Sequence, residues 1–202
     1  MSSNHLSNTD IVRSEIAAAA ARMIAEDGTD YGTAKRKAAK QILGNEKVPS
    51  GVMPDNVEIE NEVRLYNELF FSDTQPARLL YLRKLALQMM EELTQFNPYL
   101  INAVLQGTAS EHSDIYLQLF SENTKDVEIF LLNKNVNFEV SETSHFNSHN
   151  IRPIEMLSFV WKNEGFHLAL YELDDLRGAA KIKAGRPERA NIEGVRALIN
   201  EN

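Results

Sequence analysis

The spacing of apolar residues changes near the middle of this 202-residue chain, and that change limits the fold more than any other feature. Up to about residue 97 they recur every three to four positions, as on one face of a helix. Val12, Ile16, Ala19, Ala20, Met23 and Ile24 do so in a segment expected to be helical over about 11–26, capped by Thr9-Asp10 and stopped by Gly28. Further helices are expected over about 32–43, 57–71 and 76–95. The third carries the stripe Ile59, Val63, Tyr66, Leu69 and Phe70. The fourth opens on Pro76, a residue suited to a first helical turn, and stops at Asn97-Pro98.

Beyond that point an alternating pattern takes over. Residues 99–106, 114–120, 136–140, 154–161 and 166–173 read as strands. The last two flank Lys162-Asn163-Glu164-Gly165, a strong hairpin signal. Residues 124–135 read as a helix with Val127, Phe130, Leu131 and Lys134 on one face, with a strand over 127–132 as the rival; 191–200 reads as a short closing helix. Helices followed by strands are the α+β pattern. The expected organisation is a helical region, 1–97, and an α/β region, 98–202, around a mixed sheet of about five strands, as two regions or one compact unit.

The junction carries the most specific local pattern. An apolar run ends at Gly107-Thr108, a short polar turn follows, and Asp114-Ile115-Tyr116-Leu117-Gln118-Leu119-Phe120 alternates as a half-buried strand does. Strand, Gly-Thr turn, then a strand opening with aspartate resembles the core of the nucleotidyltransferase superfamily. That family writes Gly-Ser or Gly-Thr, a short spacer, then Asp-x-Asp or Asp-x-Glu. With its Ala34-Lys35-Arg36-Lys37 helix and its His112-Ser113-Asp114-Ile115 segment, the chain is similar to an uncharacterised proteobacterial family of nucleotidyltransferase-like proteins. The resemblance spans about 99–173 and leaves the helical half outside the common core.

The resemblance implies a site. Backbone N–H groups at Gly107 and Thr108 would hold phosphates. Asp114 would be the first carboxylate, and the third position of the pattern, on the strand after the intervening helix at Glu139 or less favourably Asn137, would join it on Mg²⁺ for in-line transfer. Tyr116 stands where the second carboxylate belongs, and a neutral phenol is a poor ligand for a hard cation. The implied function is a degenerate nucleotidyltransferase-like protein that binds a nucleotide without efficient transfer. Two alternatives stand beside it. One is an active Mg²⁺-dependent nucleoside-monophosphate transferase. The other is a non-enzymatic interaction or scaffold module, in which the alanines at 17–21 form a homodimer or partner surface.

Other clusters are read more plainly. Arg177, Lys181, Lys183, Arg186 and Arg189 lie beside Gly178 and Gly185. Such a loop can close over a nucleotide triphosphate, with Arg177 and Lys181 on its phosphates, or serve as a connector. Lys35, Arg36, Lys37 and Lys40 suit a solvated helix face. His145 and His149 have the spacing of metal ligands on a helix but sit in a Ser/Asn-rich segment. His112-Ser113-Asp114 are too close in sequence to form a hydrolytic triad, whose members meet through the fold.

Composition narrows the chemistry. With no cysteine, disulfides, thiolate metal sites and thiol catalysis are excluded. Lys and Arg number 21 against 29 Asp and Glu, a formal charge of −8, which argues against broad nucleic-acid binding. No apolar run reaches the roughly 18 residues of a membrane span. The first nine residues lack the basic and apolar regions of a signal peptide, so a cytoplasmic, bacterial-type protein is expected.

Overall fold

The computed structural model describes residues 8–44, 49, 51–146, 152–177, 182–183 and 186–201. It is an α+β protein. Among these residues seven helices, α1 (Asn8–Asp27), α2 (Tyr31–Leu43), α3 (Asn56–Phe70), α4 (Gln75–Glu92), α5 (Asn102–Gln106), α6 (Lys125–Asn133) and α7 (Ile192–Asn200), accompany a five-stranded mixed sheet. No described helix is long and apolar enough to cross a membrane. The chain divides into two compact units: Met1–Arg78 with Thr108–His112, and Leu79–Gly107 with Ser113–Asn202. The first change from one unit to the other falls inside α4, between Arg78 and Leu79.

The helical unit is built on small residues. Ile16, Ala17, Ala20, Ala21 and Ile24 of α1 form one buried cluster with Ala34, Ala38 and Ala39 of α2 and Ile59 and Val63 of α3. Alanine at these positions lets helix backbones approach closely, and each fully buried Ile or Val adds about 1.5–3 kcal/mol. Helix starts are set by side chains: Asp30 accepts from the Thr33 N–H at 2.9 Å, and Asp55 and Glu58 form a reciprocal capping box. The segment 108–112 is tied to the start of α4 by Gln75 Nε2 donating to the Ala109 carbonyl at 2.9 Å and Arg78 Nη2 to that of Glu111 at 2.9 Å.

The sheet unit has strands β1 (Tyr99–Ile101), β2 (Ile115–Ser121), β3 (Glu139–Thr143), β4 (Ile154–Trp161) and β5 (Glu164–Glu172) in the order β1-β2-β5-β4-β3. Only β2 and β5 run parallel. The β4–β5 turn puts Lys162 and Asn163 at φ 52° and 65°, the two-residue hairpin geometry that matches sheet twist. One sheet face carries Ile115, Leu117, Leu119, Leu157, Phe166, Leu168 and Leu170, all buried. The other is apolar at one end, where Phe120, Ala169 and Tyr171 pack with Tyr99, Ile154 and Leu176. Its opposite end is polar.

Several expectations change. Only 99–101 of the expected first strand is extended; 102–106 coils into α5, and buried Arg83 donates to the carbonyls of Val104 and Leu105 at 3.1 and 3.2 Å. The strand expected over 136–140 lies at Glu139–Thr143, because pairing with β4 fixes its register. In α3 the buried stripe is Ile59, Val63 and Asn67; Leu69 and Phe70 are exposed. The alanine face offered as a partner surface is internal: Ala17, Ala20 and Ala21 are buried in their own unit.

Candidate functional site

The polar end of the sheet is assembled from one cross-strand row. Tyr116 on β2 faces His167 on β5, His167 faces Ser158 on β4, and Ser158 faces Glu139 on β3. Asp114 precedes Tyr116 by two residues, so it belongs to the same sheet face. His167 Nε2 lies 3.0 Å from Asp114 Oδ2, and Nδ1 lies 2.8 Å from Ser158 Oγ. A carboxylate only accepts, so Nε2–H donates to Asp114, while Nδ1 shares the second hydrogen bond with the Ser158 hydroxyl. The Tyr116 and His167 rings stack at a centroid distance of 4.4 Å and an interplanar angle of 22°. Burial, and then the neighbouring Asp114 charge, holds the Tyr116 phenol above its ordinary range, so it stays protonated at neutral pH.

Gly165 makes room for this cluster. A Cβ on it would lie 2.6 Å from Asp114 Cγ and closer still to Oδ1. Only a residue without a side chain leaves the carboxylate where it reaches His167.

The expected site residues are not brought together as the family pattern implies. Glu139 stands three strand spacings from Tyr116, about 14 Å between backbones, on an edge strand and exposed. It shares no metal with Asp114 at that separation. The strand beside β2 is β5, and the residue it presents there is His167. Where the family pattern calls for three carboxylates, this row supplies Asp114, Tyr116 and His167. Among the described residues no three His, Asp or Glu side chains gather in a metal-holding group. The donor set therefore does not fit a two-Mg²⁺ site.

Gly107 is the left-handed cap of α5, at φ 80°. Thr108 is 2% exposed, with its hydroxyl beside the Tyr31 phenol, so it presents no open phosphate cradle. Lys181 lies outside the described residues, as do the Arg177 side chain and His149. His145 is buried, with Nε2 3.2 Å from Asp175 Oδ2 and its ring edge-on to Tyr171. Arg189 stacks on Tyr99 at 4.8 Å and on Phe120 at 5.3 Å, which uses it in packing.

Ser158, His167, Gly165 and Asn67 were not singled out from the sequence. Half of that signal was present: the 162–163 turn makes positions equidistant from it face each other, which pairs Ser158 with His167. The parallel β2–β5 pairing that adds Asp114 is non-local and leaves no such trace. Ser158, His167 and Asp114 form a continuous hydrogen-bonded line, and β4, which carries Ser158, is paired on both sides.

Comparison with known proteins identifies no relative: no family model, no curated protein and no solved structure matches the chain.

Proposed function

We propose that the sheet unit is a degenerate nucleotidyltransferase-like module that binds a nucleotide without Mg²⁺-dependent transfer. One observation carries this reading. Two of the three positions that the family pattern fills with carboxylates hold Tyr116 and His167, stacked on each other, while Asp114 is held by His167. A protonated phenol and an imidazole already hydrogen-bonded on both nitrogens do not build a hard-cation site. They offer instead a partly exposed ring pair, on which a base can stack for about 1–3 kcal/mol. With the Asp114 carboxylate beside it, this surface favours the base over the phosphates.

A thermal-shift panel of the four nucleoside triphosphates, with and without Mg²⁺ or Mn²⁺, tests the proposal. Ligand at about 100 times its dissociation constant adds roughly 2.7 kcal/mol, a rise of about 5–10 °C for a chain of this size. The expected result is a rise that is unchanged by metal, with no pyrophosphate released. A rise that requires metal, together with pyrophosphate release, would establish an active transferase. A flat panel would remove nucleotide binding altogether.

A further inference from the structure

The row across the sheet also aligns a nucleophile, a base and an orienting carboxylate, an alignment that stacking of a nucleotide base does not use. Ser158 Oγ lies 2.8 Å from His167 Nδ1, and His167 Nε2 lies 3.0 Å from Asp114 Oδ2. β4 and β5 carry the first two groups, Asp114 stands directly before β2, and pairing of the three strands sets their spacing. A serine hydroxyl within reach of an imidazole that a third group orients is the arrangement that activates a nucleophile. It is recognised by geometry and roles, not by order in the chain.

The carboxylate decides which nitrogen acts as the base. Asp114 only accepts, so it keeps a ring proton on Nε2. In the neutral ring Nδ1 is then bare, and its lone pair faces the Ser158 hydroxyl. Gly165 preserves this arrangement, because a Cβ there would lie 2.6 Å from Asp114 Cγ. The line is open to solvent: Ser158 is partly exposed, and the side chains of His167 and Asp114 are 20% and 46% exposed.

The surroundings select the acyl donor. Val160 and Met156 lie two residues either side of Ser158 on the same sheet face; Val160 is 74% exposed and Met156 partly so. Tyr116 adds its ring against His167. Glu139 is paired opposite Ser158, and with Asp114 it places negative charge on both sides of the hydroxyl. Such a surface suits an uncharged ester with an apolar acyl group and repels an anionic one.

We propose that Ser158 is a nucleophile for acyl transfer from uncharged carboxylic esters, with His167 as its general base and Asp114 as a positioning residue. Ser158 Oγ attacks the ester carbonyl as its proton passes to His167 Nδ1. The Oγ–C bond forms, the C–O bond to the leaving alcohol breaks, and the alcohol takes the proton from Nδ1. Water then attacks the acyl-serine, giving a proton to Nδ1. The carboxylic acid leaves, and Nδ1 returns the proton to Ser158 Oγ.

Acylation needs no nucleotide, and its test contains none. The full native chain is assayed for p-nitrophenolate release from p-nitrophenyl acetate, and a neutral fluorophosphonate ester traps the nucleophile for peptide mapping. The phosphonyl group should be on Ser158, and Ser158→Ala should lose the esterase activity. Asp114→Asn isolates the positioning role. Its amide donates to Nε2, which moves the ring proton to Nδ1 and removes the base. Activity should fall by about 100-fold or more, and the nitrogen NMR signals of His167 should report the exchanged tautomer. Mapping on the native protein keeps the test decisive if a variant does not fold. Ser158 left unmodified by the fluorophosphonate, ester hydrolysis no faster in the native protein than in folded Ser158→Ala, or native activity in Asp114→Asn with the tautomer exchanged would overturn the proposal.

Discussion

Asn67 in the helical unit and His167 in the sheet unit are both polar residues flanked by buried apolar ones. Asn67 has neither amide atom hydrogen-bonded, whereas His167 has Ser158 on one ring nitrogen, Asp114 on the other and Tyr116 against its face. A satisfied polar group helps hold its own fold together. A buried unsatisfied one lowers stability. The two positions should therefore respond to removal with opposite signs.

The largest expected effect is at His167. His167→Leu leaves the Ser158 hydroxyl and the Asp114 carboxylate without their shared partner. It should cost about 1–3 kcal/mol, seen as a lower urea midpoint at constant slope. Gly165→Ala should cost about 1–2 kcal/mol by crowding Asp114. Because both changes act through one contact, Gly165→Ala should cost clearly less in an Asp114→Ala background, and additive losses would break the assignment. Asn67→Leu should be neutral or should stabilise by up to about 1 kcal/mol. A loss of 2 kcal/mol or more would show that the amide is satisfied in the native protein.

The smallest effect is alkaline. The phenols of Tyr31, Tyr116 and Tyr171 are all held above the ordinary range, chiefly by burial. The unfolded chain ionises them near pH 10, while the folded chain resists. Their contribution is complete below that pH and is lost as pH rises beyond it. Phenolate absorbance should show these tyrosines titrating late, with the urea midpoint falling over the same range.

Local features were the legible part of the fold. The periods of three to four and of two separated helices from strands, and Lys162-Asn163 marked the hairpin. Boundaries failed where tertiary contacts decide: Arg83 draws 102–106 into a helix, and β4 sets the register of β3. The site was less legible for the same reason. A motif along β2 names Asp114 and Tyr116, but its third member depends on which strand lies beside β2. That strand is β5, so the place expected for Glu139 belongs to His167. Asn67 was hidden differently: Leu69 and Phe70 gave α3 a plausible apolar stripe, and the true one passes through an asparagine.

The central proposal is that Tyr116 and His167 keep a divalent metal from binding at this sheet. Calorimetric titration of Mn²⁺ into the native protein and into Tyr116→Asp/His167→Asp tests it most directly. With Asp114 beside two restored carboxylates, the double variant should bind Mn²⁺ at least about tenfold more tightly than the native chain and gain thermal stability from the metal. Equal affinity in the two proteins, or tight Mn²⁺ binding with nucleotidyl transfer by the native one, would contradict it.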